Sequence, residues 1–130
     1  MNRFIRQISR HLVVLGSVGV LSVTPVWAHG DHGKPQHGGV VAEAAVAQFE
    51  VVNEGDSVVV YAQHHEHTLS TAGASGKVTI LAGTQKTELT LQPAGGNKLS
   101  AKGNIPSGAK VLLNISLPGQ PALQARVVMK

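Results

Sequence analysis

From Val40 onward, the chain alternates apolar and polar residues with a period of two. The repeating apolar positions are Phe49, Val51, Val78, Ile80, Leu89, Leu91, Val111, Leu113, Ile115, Leu117, Leu123, Ala125, Val127 and Met129. Successive side chains of a β-strand point to opposite faces, so this pattern predicts half-buried strands. Phe49 and Met129 are expected to pack in the core or at a strand end.

Clusters of glycine, proline and asparagine divide these apolar runs at intervals of about eight to twelve residues, which is typical of all-β domains. The predicted turns are residues 53–56, 82–85, 93–97, 103–108 and 118–121. About seven strands at this spacing favour an antiparallel, immunoglobulin-like β-sandwich over a meander or a barrel. Residues 41–47 have helical propensity, and we interpret them as the lead into the first strand.

The first 28 residues have the composition of a secretory signal peptide. A basic start precedes an apolar run at residues 12–21, and Ala28 provides a small residue at the expected cleavage position. The run is shorter than the roughly 18 residues that a membrane-spanning helix needs, and Pro25 follows it closely. We therefore expect cleavage after Ala28, export to the periplasm and no membrane span afterwards.

Removal of the signal peptide changes the charge of the chain. The whole sequence has 11 Lys and Arg against 7 Asp and Glu. Loss of three arginines leaves a net charge of about +1, so no basic footprint for nucleic acid remains. The absence of cysteine excludes thiolate metal sites, cysteine nucleophiles and disulfides. Neither a phosphate-binding loop nor a Ser-His-carboxylate constellation is recognisable, and we do not expect an enzyme.

Histidines are the candidate functional residues, because six of the seven follow position 28 in two clusters. One cluster is His29, His32 and His37, in a flexible His/Gly-rich arm at residues 29–39; the other is His64, His65 and His67. Neutral imidazole is the commonest protein ligand for divalent transition metals. In an extended strand, His65 and His67 would lie on one face about 7 Å apart. These two are the preferred ligands, His64 follows, and Glu66 points away.

The arm provides a second candidate site. After cleavage at Ala28, His29 is the amino terminus, and its amine and ring nitrogen can chelate one ion. Asp31 and His32 follow within a few residues, and Cu(II) prefers such nitrogen and oxygen donors. His37 is an auxiliary ligand of the same arm. A Gly/His segment of this kind is equally consistent with a solvated spacer.

Several segments resemble the N-terminal, metal-proximal part of the periplasmic adaptor (membrane fusion) proteins of cation-exporting RND pumps. They are His37 to Val41 (H-G-G-V-V), Phe49 to Val52 (F-E-V-V), Thr71 to Leu81 (T-A-G-A-S-G-K-V-T-I-L), Leu91 to Gly103 (L-Q-P-A-G-G-N-K-L-S-A-K-G) and Leu117 to Ala122 (L-P-G-Q-P-A). The resemblance covers most of the chain after the signal peptide. It implies a small periplasmic protein of heavy-metal resistance, with an efflux adaptor as its partner.

We therefore expect three parts: a signal peptide at residues 1–28, the arm at 29–39 and a β-sandwich domain at 40–130. The predicted function is the buffering or delivery of divalent metal ions, Zn or Cu(II) foremost and Co or Ni as further candidates. The alternative is a non-catalytic interaction module that docks on an efflux adaptor or envelope protein without metal.

Overall fold

The computed structural model describes residues 33–130, which form nine β-strands and no helix. The strands are β1 (Val40–Ala44), β2 (Ala47–Glu54), β3 (Ser57–His64), β4 (His67–Thr68), β5 (Ser75–Ala82), β6 (Gln85–Pro93), β7 (Lys98–Lys102), β8 (Lys110–Ser116) and β9 (Leu123–Val128). A membrane-crossing helix of sufficient length and hydropathy does not occur in this range. The predicted signal peptide lies outside the described residues.

All strand pairs are antiparallel, and the strands follow the order β1-β2-β3-β7-β6-β5-β8-β9, with β4 paired to β3. The terminal strands of this order, β1 and β9, contact each other, so the sheet is nearly closed. Strand β6 pairs with β5 along most of its length and with β7 at Gln92 and Pro93. The prediction of an all-β, antiparallel fold is confirmed.

The structure has two more strands than the predicted seven, namely β1 and β4. Residues 41–47, interpreted as a lead with helical propensity, form most of β1 and its turn into β2. Ala42 and Ala44 are buried opposite Phe49 and Ala47, so burial against β2 overrides the helical preference of alanine. Strand β4 has only two residues, which is too short to produce a period in the sequence.

The inward-facing residues of the nearly closed sheet form one apolar core. The largest fully buried apolar side chains in it are Phe49, Leu91, Leu99, Ile105, Leu113, Ile115, Val51, Val58, Val60 and Val78. Met129 is 7% exposed and belongs to the same cluster, so both predicted core positions are confirmed. The five predicted turns separate the strands as expected.

A second apolar cluster lies on the opposite face of β2 and β3, formed by Val52, Val59 and Tyr61. The end of the arm packs against this face. A Cβ on Gly39 would overlap the carbonyl oxygen of Val51 and lie 2.6 Å from Cγ2 of Val52, so only glycine permits the approach. The arm therefore covers the outer face of β2 and β3 before the chain enters β1.

Candidate metal site at the arm and the histidine hairpin

The loop predicted to carry metal ligands is a tight β-hairpin, called the histidine hairpin below (residues 64–67). Strand β3 ends at His64 and β4 begins at His67, which leaves His65 and Glu66 as a two-residue turn. Their φ angles are +46° and +67°. Such turns normally contain Asn-Gly, because left-handed backbone is unfavourable for residues with a Cβ.

This turn changes the predicted relation among the histidines. His65 has left-handed backbone and is not part of an extended strand, so the expected shared strand face of His65 and His67 is wrong. His64 and His67 are direct cross-strand partners, which places their side chains on the same side of the hairpin. The His65 ring contacts the His64 ring edge-on, with centroids 4.4 Å apart. The hairpin thus gathers three imidazoles at one end of the sheet.

The turn at His65 and Glu66 contains backbone strain. Each non-glycine residue in the left-handed region costs about 1–2 kcal/mol. His65 and Glu66 both have this conformation, and both side chains are exposed. Neither side chain therefore contributes buried contacts that would compensate for the strain, and strain of this kind is concentrated at functional sites.

The beginning of the described arm and the histidine hairpin line the same groove, called the hairpin groove below. Its volume is about 820 Å³, and its lining residues are Gly33, Lys34, Gln36, Gln48, Gln63, His65 and Glu66. A Cβ on Gly33 would overlap the side-chain amide of Gln48, so the arm lies directly on β2 at this point. A smaller cavity of about 330 Å³ adjoins it and shares Gln48 and His65.

Glu50 holds the arm in this position. Its carboxylate accepts hydrogen bonds from the backbone N–H groups of Gln36, His37 and Gly39, at 3.0, 2.7 and 3.0 Å. Nδ1 of His37 lies 2.9 Å from the same carboxylate. Burial raises the pKa of Glu50, but the hydrogen bonds from Gly39, His37 and Gln36 outweigh it and lower the pKa below its ordinary value. Glu50 is therefore a buried anion at neutral pH.

His37 contributes to the same anchor. Its ring stacks on the ring of Tyr61, with centroids 3.6 Å apart and planes 3° from parallel. The Tyr61 hydroxyl donates a 2.5 Å hydrogen bond to Glu54. This hydrogen bond, burial and the charges of Glu54 and Glu50 raise the pKa of Tyr61 to about 12. Of the arm histidines, His37 is thus engaged in attaching the arm to the sheet, through one ring nitrogen and one ring face.

The residues from 33 to 130 contain no group of three His, Asp or Glu side chains arranged to hold a metal ion. Predicted ligands His29, Asp31 and His32 lie outside the described residues. However, His32 directly precedes Gly33 in the sequence, and Gly33 lines the hairpin groove. A complete ligand set at this groove would combine hairpin donors with donors of the preceding arm.

No protein-family model, curated protein or solved structure matches the chain. The resemblance to efflux adaptors stays a prediction.

Proposed function

We propose that the protein binds divalent transition-metal ions reversibly at the hairpin groove and buffers or delivers them. One observation carries the proposal: Gly33 and Lys34 of the arm line the same groove as His65 and Glu66 of the histidine hairpin. The three residues before Lys34 include His32 and Asp31. In this proposal, the arm and the hairpin, which are separate clusters in the sequence, would supply donors to one site.

The proposed donors match the preferences of Zn(II) and Cu(II). His65 is the central ligand, because it lines both the hairpin groove and the adjoining cavity. His32 and a carboxylate of Asp31 or Glu66 complete a set of nitrogen and oxygen donors, which suits these ions and also Co(II) and Ni(II). His64 and His67, as cross-strand partners, are further donors within the hairpin. Exposed donors favour exchange of the ion over permanent storage.

The proposal also includes export of the protein and a partner protein that receives the metal ion. Cleavage after Ala28 would make His29 the amino terminus, and its amine would add a donor that favours Cu(II). A periplasmic location and delivery to an efflux adaptor rest on the signal-like N-terminus and on the resemblance.

We also propose an immunoglobulin-like sandwich as the finer description of the fold, supported by the single core between the two halves of the sheet.

The proposal is tested by calorimetric titration of the purified protein with Zn(II) and Cu(II), one ion at a time. We expect one strong site, and at least tenfold weaker binding for His65→Ala combined with His67→Ala. The matched control is Glu88→Ala, which removes an exposed carboxylate on β6, away from the hairpin groove. Unchanged affinity and stoichiometry in the double histidine variant would contradict the assignment to the hairpin.

The contribution of the arm is measured separately with His32→Ala. Because His32 is the neighbour in sequence of Gly33, which lines the groove, we expect this single substitution to weaken binding by at least tenfold while the hairpin is intact. Equal affinity in His32→Ala and the unmodified protein would restrict the site to the hairpin and remove the arm from the proposal.

The alternative function, a docking module without metal, is favoured by an apolar groove on the outer face of β5, β8 and β9. The two functions are separated by native mass spectrometry after addition of Zn(II). A retained ion supports the metal site, whereas an ion-free protein leaves docking as the better account.

A further inference from the structure

The outer face of β5, β8 and β9 carries an apolar groove of about 440 Å³, which shares no lining residue with the hairpin groove. Its lining residues are Thr79, Leu81, Lys110, Val111, Leu112, Arg126, Val127 and Val128. Leu81 is 41% exposed and Val128 is 55% exposed, and Lys110 lies between them in the strand register. Two large apolar side chains thus remain in solvent on either side of a lysine.

Basic residues surround this groove. Lys110 and Arg126 line it, and within the described range neither has an ion-pair partner. The strand register places Lys77 and Lys86 on the same outer face. Glu88 lies between them, 3.6 Å from each, and is the one carboxylate in the cross-strand rows of this face. Four cations therefore oppose one anion on this face, called the basic face below.

The sheet topology restricts how a partner can dock there. Strand β8 is paired on both sides, by β5 and β9, and β9 contacts β1 across the nearly closed sheet. A partner cannot add a strand beside β8, so it has to dock on side chains of the face. The exposed side chains of Leu81 and Val128 provide the apolar contact, and the lysine and arginine side chains provide the polar rim.

We propose that the basic face binds an acidic segment of a partner protein. An apolar side chain of that segment would enter the groove between Leu81, Leu112 and Val128. Its carboxylates would pair with Lys110 and Arg126, the guanidinium of which can bind a carboxylate with two hydrogen bonds. Charge complementarity selects an acidic partner, and the concave groove favours a peptide side chain over a flat lipid surface.

The composition of the face also argues against a membrane surface. Tryptophan and tyrosine are enriched at membrane interfaces, whereas the aromatic residues Phe49 and Tyr61 of the described chain lie in β2 and β3. The basic face offers three aliphatic side chains that enclose a groove. This arrangement fits one or two side chains of a protein segment.

The proposal is tested by NMR titration of the ¹⁵N-labelled protein with a synthetic peptide of alternating glutamate and leucine. We expect the amide shifts of Leu81, Leu112 and Val128 to change, and binding to weaken with salt. The double variant Lys110→Glu with Arg126→Glu should bind the peptide at least tenfold more weakly. The control, Lys98→Glu with Lys102→Glu on β7, has the same change of net charge and should bind within about twofold of the unmodified protein.

Three results would overturn the proposal: no shift at the basic face, equal weakening in the β7 control, or binding to phosphatidylglycerol vesicles without binding to the peptide. Sedimentation of the protein without peptide tests for self-association. If the protein self-associates through this face, the occupant of the groove is a second copy and not an acidic partner. Metal affinity of the Lys110→Glu, Arg126→Glu variant should be unchanged, so the outcome is independent of the proposed metal site.

Discussion

The imidazole of His37 lies parallel to the ring of Tyr61, at a centroid distance of 3.6 Å, while its Nδ1 contacts the buried carboxylate of Glu50. This stack joins two parts of the chain that are 24 positions apart. It holds His37 on the outer face of β2 and β3, four positions after Gly33, which lines the hairpin groove. The attachment of the arm is therefore part of the proposed metal site.

Replacement of Glu50 by glutamine tests this attachment. The glutamine amide cannot accept the four hydrogen bonds that the carboxylate accepts. Its NH₂ group is itself a donor and would face backbone N–H groups. We expect Glu50→Gln to lower the free energy of unfolding by about 2 kcal/mol, from the loss of charge-assisted hydrogen bonds. Amide hydrogen exchange at Gln36, His37 and Gly39 should become faster.

The matched control for this substitution is Glu88→Gln, which removes two ion pairs between exposed side chains. Surface pairs of this kind contribute about 0–1 kcal/mol, so the control should unfold nearly as the unmodified protein does. Equal destabilisation by both substitutions would show that Glu50 does not anchor the arm.

The stability that Glu50 contributes should depend on pH. Its pKa is lowered in the folded protein, so its contribution is complete above the unfolded value of about 4.3 and is lost as the pH falls through the lower folded pKa. Denaturant titrations at pH 7 and below pH 4 measure the free energy of unfolding and therefore this contribution. The difference in unfolding free energy between the unmodified protein and Glu50→Gln should be largest at pH 7 and decrease in acid; a difference independent of pH would contradict the assignment.

Tyr61 provides an optical test of its contact with Glu54, because it is the one tyrosine in the sequence. The absorbance of tyrosinate should rise with a midpoint near pH 12, the pKa of Tyr61. Since the folded pKa is raised, the associated stability is present below about pH 10 and is lost as the pH rises toward 12. In Glu54→Gln the midpoint should move toward 10, whereas Glu66→Gln should leave it unchanged. A midpoint near 10 in the unmodified protein would refute the contact.

Substitutions in the turn of the histidine hairpin should have opposite effects on the stability of the protein and on its affinity for Zn(II). Changing His65→Asn with Glu66→Gly gives the sequence that a turn with two positive φ angles prefers. Unfolding free energy should rise by about 1–2 kcal/mol, because the left-handed strain is relieved. Zn(II) affinity should fall by at least tenfold, since the central ligand is lost.

The control for the hairpin is Ala45→Gly in the β1–β2 turn. Ala45 also has a positive φ, of +48°, but its side chain has no metal donor. Relief of strain should therefore stabilise the protein without a change in Zn(II) affinity. If His65→Asn with Glu66→Gly binds Zn(II) as tightly as Ala45→Gly does, the strained side chains have no role in the site.

The all-β fold could be predicted because its signals are local. Alternation around Val78 and Leu113 records burial on one strand face, and the glycine at position 55 has the positive φ that the β2–β3 turn requires. Strand β1 is not predicted from the sequence, because the alanines at positions 42 and 44 favour a helix and become buried only through pairing with β2.

The geometry of the candidate site could be predicted only in part. Clustering identifies the histidines, but the turn at His65 and Glu66 has none of the asparagine or glycine that marks such turns, so the sequence predicts an extended strand there. Glu50 alternates with Phe49 and Val51 as a solvent-facing residue would. Its burial depends on contacts 11 to 14 positions away, in an arm with no apolar pattern, and no local signal records them.

The most direct test of the metal site is paramagnetic broadening of the amide signals of the ¹⁵N-labelled protein by substoichiometric Cu(II). The proposal predicts that the signals of Gly33, Lys34, Gln48 and His65 broaden first, because these residues line one groove at the bound ion. The signal of Val128, on the basic face, should stay sharp. Signals of the hairpin groove that stay sharp at one equivalent of Cu(II), while others broaden, would contradict the account.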